Sequence, residues 1–218
     1  MQRVAAFAAA LLWVVSAALA RADVGPASEA LARAIRADDA GAVRAALESG
    51  ADVDAPWRLF RPLALAAIRG EPEIVKLLLA AGADPDAGSL GRGGALSMAV
   101  RSCRAGLDVV GALIAAGADL EDRSGVGITP LMVAIQEKRV DVALRLLEAG
   151  ADVNALGPFG DGVLNYAIYV KEPALVRAAL DRGVDVDQLR VLFTTVDYDP
   201  PGIADARSHH EVLCAPRR

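Results

Sequence analysis

A glycine followed by alanine and aspartate recurs along the chain at Gly50, Gly82, Gly117 and Gly150, with Gly183-Val184-Asp185 as a weaker fifth copy. The spacings are 32, 35, 33 and 33 residues. A second phrase keeps step with the first: RPLALAA from Arg61, GALSMAV from Gly94, TPLMVAI from Thr129 and GVLNYAI from Gly162. This period constrains the fold more than the chain's length does. Each unit is too small to enclose a core, so its apolar faces must be buried against copies of itself.

One unit shows how the repeat is built. Thr129-Pro130 starts a helix, the Thr hydroxyl free to accept from orphan N–H groups and Pro at the first helical position. Leu131, Ala134 and Ile135 share one face. After the polar break 136–139, Val142, Leu146 and Leu147 make a second apolar face. Gly150 ends that helix, since glycine takes the left-handed conformation past a helix end without steric cost. Helices this short are not stable alone in water.

A period near 33 residues with a T-P-L-x-x-A start resembles the ankyrin repeat. The resemblance covers roughly residues 28–188 and implies an all-α solenoid of about five helix-turn-helix repeats, each with a β-turn finger. The repeats are placed at 28–55, 56–87, 88–122, 123–155 and 156–188. The first carries Glu29, Arg33, Arg36, Asp38 and Asp39 at outer positions, as a terminal cap requires. The third has two extra residues, placed in 101–106, and the fifth is the most divergent. The periodic Asp52, Asp84, Asp119, Asp152 and Asp185 read as turn formers that bond local backbone N–H groups.

The flanks are not repeats. Residues 1–22 read as a signal peptide, with Arg3 as its positive end, an apolar run from Val4 to about Val15, and small residues for cleavage after Ala20 or Ala22. A short linker, 23–27, follows. Residues 189–218 read as a capping segment, Val191–Val196, followed by a loosely ordered tail. The expected mature protein is exported to the periplasm, not held by a membrane once the signal is cleaved, and monomeric. The alternative is a structural spacer tethered by an uncleaved N-terminal helix. Alanine and arginine are abundant and lysine scarce, which suits a GC-rich bacterial genome.

Several function classes are excluded or disfavoured. A net charge of −5 provides no general basic field for nucleic acid. With 4% aromatic residues, a large aromatic-lined cavity is not expected. The only histidines, His209 and His210, are adjacent in the tail, so neither catalysis nor a metal site is expected, and no cofactor. Cys103 and Cys214 are the only cysteines, and an exported chain allows a disulfide between them that would pin the tail along the solenoid.

What remains is binding to another protein. The second finger reads Pro56-Trp57-Arg58-Leu59-Phe60-Arg61, residue types enriched in interface hot spots, although Trp57 or Phe60 folding back over the first repeat is the competing reading. Further finger contacts are expected from Arg92, Arg123 and Phe159, and concave-face contacts from Arg101, Gln136 and Tyr169, in line with Ile68. The finger arginines favour an acidic or mixed-charge partner. Resemblance to exported bacterial members of the family implies a stress-defence accessory or a toxin-immunity protein.

Overall fold

The computed structural model describes residues 25–88, 93–123 and 127–188. The signal segment 1–22, Arg92, Cys214 and the segment 189–218 lie outside the described residues. Among the described residues there are ten α-helices in five antiparallel pairs. In chain order these are α1 (Pro26–Arg36) with α2 (Ala40–Glu48), α3 (Pro62–Arg69) with α4 (Pro72–Ala80), and α5 (Ala95–Arg101) with α6 (Leu107–Ala115). They continue with α7 (Pro130–Gln136) and α8 (Val140–Glu148), then α9 (Val163–Tyr169) and α10 (Pro173–Asp181). A short 3₁₀ turn, Val186–Gln188, follows.

The first helices α1, α3, α5, α7 and α9 stack side by side in one layer, and the second helices form the other. The architecture is an all-α repeat solenoid. Its core is a set of rows running across the repeats. Leu31, Leu63, Leu96, Leu131 and Leu164 occupy one equivalent position and are all buried. Leu78, Leu113 and Leu146 form a matching row in the second layer, flanked by the smaller Ala46 and Ala179 in the terminal pairs.

The local signals explain where each helix begins and ends. Thr129 caps α7 by accepting from the Met132 amide at 3.4 Å, and Asp39 caps α2 by accepting from Ala42 at 2.9 Å. Pro opens α1, α3, α4, α7 and α10. Where Thr is replaced by Gly94, the cap comes from the far end of the same repeat: the Asp122 carboxylate accepts from the Gly94 amide and, at 3.1 Å, from the Ser97 hydroxyl. Gly150 sits at φ +98°, with the Ala151 amide donating to the Leu146 carbonyl and its own amide to Leu147. The other four stops repeat that pattern. Nothing lies within 4 Å of a Cβ built on Gly150, so its backbone conformation, rather than crowding, calls for glycine.

The periodic acids do more than close their own turns. Asp52 accepts from the Asp54 amide, and Asp84, Asp119, Asp152 and Asp185 each accept likewise from the residue two positions on. That second residue then reaches the next repeat. Asp86 accepts from the Asp119 amide at 2.7 Å, Glu121 from Asp152 at 2.7 Å, and Asn154 from Asp185 at 2.7 Å. Asp54 makes the longer version to Asp84 at 3.3 Å. Along this edge an Asp-x-Asp/Glu/Asn phrase sets the register between neighbours.

The extra length of the third repeat falls where the sequence places it, in the five-residue connection 102–106 between α5 and α6. Two side chains hold that connection. The Ser102 hydroxyl donates to the Ile68 carbonyl at 2.6 Å. Arg139 donates to the carbonyls of Ala99 and Val100 at 3.0 Å, of Ser102 at 2.8 Å, and of Ala105. Equivalent positions elsewhere carry the acids Asp39, Glu71 and Glu172. A hydrogen bond to a charged group contributes about 1.5–3 kcal/mol net, and burial lowers the Arg139 pKa.

Glu121 offers a direct test of the edge ladder. Its carboxyl is held above the ordinary range, chiefly by burial, with the Asp152 and Asp119 charges adding to the effect. The folded state therefore binds the proton more tightly than the unfolded chain, and stability falls as pH rises from the ordinary Glu value through the raised one. Gln retains an acceptor for the Asp152 amide, as Asn154 does one repeat later. Glu121→Gln is expected to raise the melting temperature at neutral pH, with the gain vanishing below about pH 4. Thermal melts at both pH values check this; a uniform loss would contradict it.

Candidate functional site

The second finger closes as a two-residue hairpin. The Trp57 amide donates to the Phe60 carbonyl at 2.8 Å, and the Phe60 amide to Trp57 at 3.2 Å. Of its two central residues only Arg58 has a left-handed backbone, at φ +57°. Phe60 turns inward and packs on the core, while Leu59 is 54% exposed at the tip. Trp57 is half-buried, with the Arg36 guanidinium 5.2 Å and the Arg58 guanidinium 4.9 Å from its ring centre. Arg61 is drawn back into the fold, where its Nη1 donates to the Asp54 carbonyl at 3.0 Å.

The later fingers divide between structure and display. Arg123 donates through Nη1 to the Gly127 carbonyl at 3.2 Å and to the Leu156 carbonyl, tying the fourth finger to the fifth. The fifth finger is pinned by the Gly157 amide donating to the Asp161 carbonyl at 2.8 Å, and it presents Phe159, 62% exposed, at its tip. Beneath it Tyr166 is fully buried, its hydroxyl 3.2 Å from the place a Gly157 Cβ would occupy. Burial, and then the Asp161 charge, push the Tyr166 hydroxyl up to about 12. Tyr166 therefore belongs to the core, and Tyr169 is left partly exposed at the end of α9.

Ile68, Arg101, Gln136 and Tyr169 hold equivalent places near the C-terminal ends of α3, α5, α7 and α9, so the stacking of the first helices lays them along one side. All four are at least partly accessible. Cys103 is exposed in the connection after α5 and is disulfide-bonded. Among the described residues the loop-edge acids Asp52, Asp54, Asp84, Asp86, Asp119, Glu121, Asp152 and Asp185 are strung along the repeats, where they accept from backbone amides. Among the described residues no three His, Cys, Asp or Glu side chains are placed to hold a metal ion.

Two residues of the site region are not apparent from the repeat pattern. Arg36 reads from sequence as a polar residue on a capping repeat, yet it covers the Trp57 ring from the preceding repeat. Arg139 reads as part of a polar break, though it organises the connection that carries Cys103. The usable signal for Arg139 is its basic character at a position otherwise held by acids. Arg36 has no such signal.

Family models match most of this region. A model described as ankyrin repeats, in three copies, matches residues 96–190, and one described as ankyrin repeat matches residues 60–89. A search of curated proteins gave no match.

Proposed function

Since the chain belongs to the ankyrin-repeat family, we propose that its protein–protein interaction function is carried by the finger tips and the concave row, in a protein exported to the periplasm. Ankyrin repeats are generally non-catalytic interaction modules. The observation that carries the more specific reading is that large side chains, Leu59 and Phe159, are exposed on fingers whose backbones are fixed by hydrogen bonds. A surface fixed before docking loses little entropy on binding, so its contacts convert efficiently into affinity.

The contact set is Trp57, Arg58 and Phe159 at the fingers, with Arg101, Gln136 and Tyr169 along the concave row. Arg61, Arg123 and Phe60 support it by fixing the fingers. The partner is another protein, as befits a stress-defence accessory or a toxin-immunity role. A tagged chain expressed in its own host should capture one partner in a fixed ratio, and a Trp57→Ala, Phe159→Ala variant should lose it while keeping its melting temperature within a few degrees. Undiminished capture by that variant would contradict the assignment. Tight one-to-one capture of a single toxin marks immunity, and peroxide sensitivity on deletion marks a stress role.

Export is supported by the charge and apolar pattern of residues 1–22. A Cys103–Cys214 bridge is supported by the bonded state of Cys103 and by Cys214 being the only other cysteine of the chain. One measurement addresses both: the intact mass of the protein recovered from its host, alkylated without reductant. The expected mass begins at Arg21 or Asp23 and carries no alkyl group. A chain that begins at Met1 would favour the tethered spacer, and two alkyl groups would remove the bridge.

A further inference from the structure

The Trp57 finger gathers two guanidinium groups, and among the described residues neither is in an ion pair with a carboxylate. The ion pairs among the described residues join Arg44 to Glu73, Arg69 to Asp38 and Arg145 to Glu148. Arg36 and Arg58 take no part in them. Asp38, the carboxylate nearest to Arg36 in sequence, instead grips Arg69 through both its oxygens. What holds Arg36 and Arg58 is the Trp57 ring, and a cation–π contact consumes no N–H donor. Each exposed guanidinium therefore keeps its five donors, in the planar arrangement that matches a carboxylate. The chain as a whole carries −5, so this positive pair is a local feature and not part of a basic surface.

The backbone points the same way. In a two-residue hairpin whose first central residue alone has positive φ, that place favours glycine. Here it holds Arg58 at φ +57°. A side chain kept in a strained place that glycine would fill without cost is a reason to look for a use of that side chain. Leu59 stands beside it, exposed, as an apolar contact.

We infer that the Arg36–Trp57–Arg58 stack, with Leu59, docks a short acidic segment of the partner protein, its carboxylates on the two guanidiniums and an apolar residue against Leu59 and the Trp57 edge. This rests on the protein-binding reading above and specifies the chemistry at one finger. The loop edge that starts at Asp52 and Asp54 is lined with acids, so a long polyanion is repelled beyond the finger and the docked stretch is short.

Trp57 itself reports the test. The sequence has two tryptophans, and Trp13→Phe in the full chain leaves Trp57 as the sole emitter. A Glu-Glu-Leu-Glu-Glu peptide should shift its emission saturably at low ionic strength, and salt should weaken the effect. Arg36→Gln or Arg58→Gln should weaken binding by about threefold each, and both together by about tenfold. Arg58→Gly relieves the backbone, so it should raise the urea midpoint while weakening the peptide as Arg58→Gln does. This variant separates a recognition role from a structural one. The matching Lys-Lys-Leu-Lys-Lys peptide and inorganic phosphate should give no saturable shift. No response to the acidic peptide, or a response unchanged by the double Gln substitution, would overturn the inference. So would tighter binding of oligothymidylate, which would assign the stack to phosphate groups. If the double Gln variant still captures the cellular partner through Phe159, the inference about the stack fails while the protein-binding reading stands.

Discussion

Burial of one repeat against the next is the interaction on which the rest of this structure depends. The helices are seven to eleven residues long, below the roughly 12–15 at which an isolated helix becomes even marginal in water. No pair has an inside of its own. The leucine row from Leu31 to Leu164 is buried throughout, and its inner members Leu63, Leu96 and Leu131 lie between two repeats. Burying a Leu side chain contributes about 1.5–3 kcal/mol, which exceeds the roughly 0.5–1.5 kcal/mol of a typical hydrogen bond. The apolar rows therefore supply the stability, and the polar edge supplies the register. Asp86, Glu121 and Asn154 each fix a neighbour's amide, so a repeat cannot slide without breaking a bond on that edge.

Much of this architecture was legible in the sequence because it is periodic. The glycine stops, the Thr-Pro start at Thr129 and the two apolar faces repeat at one interval, and the structure places them accordingly. The third repeat's extra length also fell in the connection before α6, as the spacing implied. What the period could not show is any contact made once. Arg139 reaches carbonyls 34 to 40 positions away in sequence, and Asp122 replaces a cap that Gly94 cannot provide. Each is a single departure from the pattern, and its purpose appears only when the fold brings residues distant in sequence together. The acids along the loop edge were half legible: the bond within the turn follows from residue type, and the bond to the next repeat follows from stacking.

The candidate contact surface divides in the same way. Residue type alone marks Trp57, Arg58, Phe60 and Arg61 as one group, yet they do different work. Phe60 packs against the core and Arg61 bonds the Asp54 carbonyl, while Trp57 collects Arg36 from the repeat before it. Arg123, which reads as another displayed charge, joins two fingers. A solenoid shows its side chains on a nearly fixed frame, so in the proposed reading specificity lies in a few of those it displays: the Arg36–Trp57–Arg58 stack, Leu59, Phe159 and the row of Arg101, Gln136 and Tyr169. The strained backbone at Arg58 is tolerable because the hairpin is held by its own two hydrogen bonds, by Phe60 on the core and by Arg36 and Asp54 of the preceding repeat.

The central claim, that each helix pair is stable only through its neighbours, is tested most directly by hydrogen exchange on the full chain carrying Leu131→Ala. Leu131 is fully buried in α7, and its loss is expected to cost about 2–5 kcal/mol. If the repeats depend on one another, amide protection should fall in α5, α6, α9 and α10 as well as in α7 and α8. Loss confined to α7 and α8, with the flanking pairs protected as before, would show that the repeats stand alone and would contradict the account.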